Sequence, residues 1–120
     1  MKRLYFKAGS EVISEGELGD CAYIVEMGCL EVSKQNKKRG KQVIGQLKEN
    51  DIFGELGLID GLPRSATVTA VENCTIKVLT KSSFNSLAKN KPEALMPIFK
   101  VMASRLRSTL KQVVSIPSHT

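Results

Sequence analysis

A chain of 120 residues, 42% hydrophobic and 25% charged, has room for one domain around one core. Its apolar runs are too short to span a membrane and no secretory apolar segment follows the basic start MKRLYFKAGS, so the cytoplasm is the expected compartment. A net charge of +6 admits an anionic partner, while three cysteines without CxxC spacing and one histidine, His119, exclude a disulfide framework, a zinc centre and histidine-based catalysis.

In chain order, the first two-thirds reads as short strands separated by turns. EVIS (11–14) is followed by the turn-like EGELGD (15–20). CAYIVEM (21–27) breaks at Gly28 and resumes as CLEVSK (29–34). There Leu30 and Val32 alternate with Glu31 and Ser33, the period of a half-buried strand. The cations cluster most densely in SKQNKKRGKQ (33–42). Such a run suits nucleic acid or an anionic membrane, but Asn36 and Gly40 are turn formers between two strands, and a solvated hairpin tip is the simpler reading. KQVIGQLK (41–48), SATVTAV (65–71) and CTIKVL (74–79) complete the series. Many short strands at even spacing predict a sandwich or barrel. Cys21, Cys29 and Cys74 read as buried, reduced thiols.

The last third reads as helix. Thr80 is placed to cap KSSFNSLAKN, with Phe84 and Leu87 on one face. Asn90 and Glu93 resemble a second helix start. Leu95, Phe99, Met102, Leu106, Leu110 and Val113 then recur every three or four residues, predicting an amphipathic helix of about 20 residues. Pro97 should kink or restart it, and the tail SIPSHT should fray. The apolar stripe fits packing on the chain's own barrel or a homodimer contact, so both monomer and homodimer stay open.

One stretch, FGELGLIDGLPRSATVTA (53–70), carries candidate chemistry. Gly54 permits a tight turn, ELGLID can form a short helix, and Gly61-Leu62-Pro63 ends it. The free N–H groups of a first helical turn attract anions, and Arg64 adds a bidentate donor suited to phosphate or carboxylate. Ser65 and Ala66 are small enough for their backbone to meet a ligand closely. Glu55, acceptor-only when ionised, suits sugar hydroxyls. Together these groups describe a sugar-phosphate site. Equally, Glu55 and Arg64 could pair with each other as a structural ion pair.

The same stretch resembles the phosphate-binding cassette of cyclic-nucleotide-binding domains, through Phe53, Gly54, Glu55, Leu56, Gly57, Leu58, Ile59, Pro63, Arg64, Ser65, Ala66, Thr67 and Val68. Phe6, Gly9, Ile13 and Glu15-Gly16 fit the family's opening strand, Gly19-Asp20, Tyr23-Ile24 and Gly28 its next hairpin, and Phe84, Leu87, Pro92 and Arg105-Leu106 its closing helices. The pattern is nearest to bacterial members. It implies a mainly β fold, a jelly roll over about 4–80 with C-terminal helices over about 81–114, as a single domain with a frayed end at 115–120. It implies cAMP or cGMP as ligand, with no cofactor and no metal. Arg64 would clamp the phosphate oxygens, Glu55 would accept from the ribose 2′-hydroxyl, and backbone N–H groups near Gly54, Leu56 and Ala66 would complete the cradle. An Arg64 without ligand is expected to face water.

The resemblance also implies a role. The chain is expected to be a non-enzymatic regulatory sensor whose long helix moves on capture, with Leu56, Leu58 and Ile59 as the cassette's apolar face and Arg107 as a lid candidate stacking on the base. Threonine at the position of Ser65 goes with cGMP in this family and alanine with cAMP; serine lies between, and the leaning is to cAMP. Asn50 stands where the family has a turn glycine, a position asparagine tolerates. No DNA-reading helices follow Thr120, so direct nucleic-acid binding is not expected, and the chain reads as a free-standing sensor or the excised end of a longer protein, with an effector protein or the rest of that chain as partner. An enzyme on a similar barrel would need a histidine cluster. A ligand-free scaffold of the same fold is the alternative, opposed by the presence of both Glu55 and Arg64.

Overall fold

The structure, a computed structural model, describes residues 1–114, with side chains through Lys111. The expectations for the side chain of Val113 and for the tail SIPSHT, His119 included, lie outside the described residues. Two compact units follow one another, residues 1–83 and the chain from Phe84 onward.

The first unit holds strands β1 (Lys2–Phe6), β2 (Glu11–Ile13), β3 (Ala22–Met27), β4 (Leu30–Asn36), β5 (Gly40–Leu47), β6 (Ile52–Phe53), β7 (Thr67–Ala70) and β8 (Cys74–Leu79). They form two antiparallel four-stranded sheets, in the orders β1-β8-β3-β6 and β2-β7-β4-β5. Successive strands change sheet at every step except β4 to β5, which stay together as a hairpin. This alternation is the expected jelly roll. Its core draws Val25, Phe53, Cys74 and Ile76 from one sheet and Ile13, Leu30, Leu47, Val68 and Ala70 from the other. Each fully buried aliphatic side chain in such a core contributes about 1.5–3 kcal/mol.

Strand periodicity gives nothing before Glu11, yet β1 pairs with β8 in unbroken register from Lys2 opposite Val78 to Phe6 opposite Cys74. Only Leu4 and Phe6 of β1 are half-buried, so the alternating signal is short. Across its exposed side, Glu26 of β3 accepts from Arg3 at 2.9 Å and meets Lys77 of β8 at 3.2 Å. The basic tip is a hairpin turn, where Asn36 Oδ1 accepts the N–H groups of Lys38 and Arg39 at 2.8 and 3.1 Å. Gly28 breaks β3 from β4 because its φ is 103° and a Cβ there would lie 2.7 Å from the carbonyl oxygen of Asn73. Asn50 does adopt the left-handed conformation, φ 72°. The cysteines are free, but only Cys74 is buried; Cys21 and Cys29 are half-exposed because they flank β3 and β4 rather than fill the core. Burial pushes the Cys74 thiol up.

Helices follow β8: α2 (Lys81–Asn90), a 3-10 helix (Pro92–Leu95) and α3 (Met96–Val114). Thr80 caps α2, its Oγ1 accepting the Ser83 N–H at 3.1 Å. Asn90 starts no helix. It is the last residue of α2, and its Nδ2 donates to Ser86 Oγ at 3.4 Å. The cause is Pro92, which drives Lys91 out of the helical region (φ −145°, ψ 66°) and makes Lys91 the boundary. Pro97 restarts rather than kinks: it is the second residue of α3, where a missing N–H costs nothing. The stripe is only partly buried. Leu95 is covered, as is Ile98 outside the stripe, whereas Phe99, Leu106 and Leu110 are exposed. Among the described residues no helix is long and apolar enough to cross a membrane.

Candidate functional site

The cassette begins where β6, two residues long, must leave its sheet at once. Gly54 makes that turn at φ 76°, and α1 (Glu55–Asp60) starts on it. Gly61, φ 68°, stops α1 and donates its N–H to Gly57 O at 3.0 Å. Both ends therefore use the left-handed conformation that only glycine adopts at little cost. α1 is half sunk into the unit: Glu55, Gly57 and Leu58 are buried, Leu56 and Ile59 exposed. The expected apolar face of Leu56, Leu58 and Ile59 is thus split, because Leu58 lies on the turn opposite the other two and belongs to the interior.

Arg64 follows Leu62 and Pro63 and is 6% exposed. The sequence reading has it facing water; the structure turns it inward. Its Nη1 donates to Gly54 O and its Nη2 to Cys21 O, each at 2.9 Å. Its guanidinium carbon lies 5.7 Å from the centre of the Tyr23 ring. Tyr23 is itself stacked on Phe53, with centroids 5.2 Å apart and planes 24° apart. The backbone is held as well, since Arg64 N–H donates to Glu17 O and Gly16 N–H to Arg64 O, both at 2.8 Å. Directed carbonyls and an aromatic face take the place of water around the cation, which is why it can be buried.

Glu55, first in α1, is fully buried. Ser65 is exposed and Ala66 half-buried on the way into β7. Gly54 is half-buried, with its carbonyl oxygen committed to Arg64. Arg107 is exposed on α3, in the other unit from Arg64 and Glu55, on a helix face shared with Lys100, Ser104 and Lys111. The structure adds Cys21 and Tyr23, which spacing does not mark as site residues. The Cys21 thiol donates to the Tyr23 hydroxyl at 3.2 Å. Burial, and then that hydrogen bond, push the Tyr23 phenol up to about 12, against the opposing pull of Arg64. The result is a rigidly held cation with N–H groups beyond those given to carbonyls, on one short cassette with a buried carboxylate. A cation fixed in this way suits an anion, and a carboxylate suits hydroxyl donors.

Comparison with known proteins agrees with this chemistry. A family model described as the cyclic nucleotide-binding domain matches residues 3–91. A cAMP-dependent protein kinase regulatory subunit from Eremothecium gossypii is 46% identical over 83 residues, which are 69% of this chain and 17% of that subunit. The chain thus spans less than a fifth of that relative. The catabolite activator protein of Thermus thermophilus superposes with a TM-score of 0.87 at 24% identity, covering 93% of this chain and 53% of that one, and shows the fold. The regulatory domain of Toxoplasma gondii PKA, in a crystal with cAMP, has a TM-score of 0.66 at 36% identity over 71% of this chain and 32% of that one. The relatives come from fungi, bacteria and a protist, so the expectation of a bacterial pattern is not singled out.

Proposed function

The chain belongs to the cyclic nucleotide-binding domain family, and from that premise we propose that its cassette captures cAMP in preference to cGMP and passes capture on through α3. Arg64 takes the exocyclic phosphate oxygens, Glu55 accepts from the ribose 2′-hydroxyl, and N–H groups at Gly54, Leu56 and Ala66 complete the cradle. The reading is supported above all by Arg64: a buried guanidinium held by neutral carbonyls at 2.9 Å, whose charge is left for an anion. Ser65, exposed beside Arg64, keeps a hydroxyl and favours neither base. The cAMP of the T. gondii crystal and the cAMP dependence in the fungal relative's name support cAMP. Capture resets α1, whose exposed Leu56 and Ile59 are the apolar groups free to respond, and α3 moves with it; Arg107 is the candidate to stack on the base. The chain's part is binding and regulation, and its output belongs to an effector or to further chain.

Calorimetric titration with cAMP and cGMP tests this. Wild-type protein should bind cAMP more tightly than cGMP. Arg64→Leu removes a charge-assisted bidentate contact, and affinity should fall about 100-fold. Wild-type protein that binds neither nucleotide at micromolar levels would leave a scaffold of this fold as the better reading. Equal affinity in the variant would remove Arg64 from its role.

A further inference from the structure

Three glycines pack against the Arg64 guanidinium. A Cβ built on Gly19 would lie 2.5 Å from its Nη2, 2.7 Å from its Nε and 2.9 Å from its guanidinium carbon. One built on Gly57 would lie 2.9 Å from Nη1, and one on Gly54 would also lie 2.9 Å from Nη1. Three separate parts of the chain thus close on one guanidinium: the loop between β2 and β3, the turn before α1, and α1 itself. Gly54 has a second reason to be glycine, its φ of 76°. Gly19 and Gly57 do not have a positive φ, so alanine could adopt their backbone, and space is what excludes it. For Gly19 all three nearest atoms belong to Arg64. Gly57 also meets the Gly19 carbonyl oxygen, at 2.7 Å from its would-be Cβ, so α1 and the loop touch beside the same side chain.

We infer that Gly19 is a positioning residue for the ligand's anionic group. The missing side chain at 19 lets the loop lie against the Nε and Nη2 edge of Arg64 and keeps Nη1 and Nη2 on Gly54 O and Cys21 O. A methyl there meets the far end of a flexible side chain. The arginine swings away, the fold persists, and the cation is no longer where the ligand needs it. The choice of ligand rests on the cyclic-nucleotide reading; the control of Arg64 by Gly19 does not.

The test is a double-variant cycle of Gly19→Ala and Arg64→Leu, with Gly45→Ala as control, since a Cβ at Gly45 has nothing within 4 Å. Urea midpoints are measured first, without nucleotide. Gly19→Ala should lower the midpoint in the wild-type background and leave it unchanged in Arg64→Leu, because the three atoms nearest its added methyl all belong to Arg64. Equal shifts in both backgrounds would overturn the inference. Should Gly19→Ala fail to fold by itself, a folded double variant supports the inference and an unfolded one overturns it. Titration with cAMP comes second: Gly19→Ala should bind at least tenfold more weakly and Gly45→Ala like wild type, whereas wild-type affinity in Gly19→Ala would overturn the inference. If wild-type protein binds neither nucleotide, the functional reading fails, and the urea cycle still decides the role of Gly19.

Discussion

A guanidinium stays out of water only where both its N–H groups and its face are accommodated, and the Tyr23 ring supplies the face for Arg64. That ring carries a pH signature. Its phenol is pushed from 10.0 up to about 12, chiefly by burial, so folding favours the neutral form. Stability from this source is complete below pH 10, where both states keep the proton, and is lost as pH rises toward about 12, where the unfolded chain ionises first. Urea unfolding between pH 8 and 12 should therefore show wild type losing stability relative to Tyr23→Phe above pH 10. Parallel curves would show that Tyr23 ionises alike in both states. Arg64 and Glu55 are legible in the sequence because charges amid apolar residues demand partners. Cys21 is not, since it works through a backbone carbonyl 43 residues away, and a carbonyl leaves no mark on residue type.

Elements follow their local signals where those signals are complete. Thr80 shows this, with its hydroxyl on the Ser83 N–H. Thr80→Ala should cost about 1 kcal/mol and Thr80→Ser much less, read from urea midpoints. A loss shared equally by both substitutions would mean the hydroxyl is not the cap. The short helix ELGLID is equally legible, bracketed by Gly54 and Gly61. β1 is not, because it is held by a ladder to β8, some seventy residues on, which no window of local sequence contains. Asn90 misleads for a related reason. Its spacing to Glu93 fits a cap, but Pro92 fixes the boundary at Lys91 and α2 takes Asn90 as its last residue. The α3 stripe is legible as amphipathic, while which of its residues are covered is decided by packing; Ile98 is buried although it lies off the expected repeat.

At the scale of the whole molecule, alternation along a strand says which face is buried but not which strand is its neighbour. Local pattern is satisfied equally by other sandwiches, so the jelly roll is legible only through resemblance, and the orders β1-β8-β3-β6 and β2-β7-β4-β5 only in the structure. What the molecule does with a ligand is likewise a property of the whole. A nucleotide that binds only the folded state stabilises it by mass action, about 2.7 kcal/mol at a hundred times its Kd. At the same concentration the gain should fall to about 0.4 kcal/mol in Arg64→Leu, whose affinity is about 100-fold weaker. It says nothing of where the gain is felt, since a ligand shifts conformation only by differential affinity for two states. Hydrogen exchange separates the two. Capture confined to the cassette should slow exchange around residues 54–66 alone. Capture that moves α3 (Met96–Val114) should also slow exchange over residues 98–112, a stretch with Leu106 and Leu110 exposed. Protection of the cassette with an unchanged α3 would keep Arg64 and Glu55 as the ligand clamp and would remove the helix from the signal.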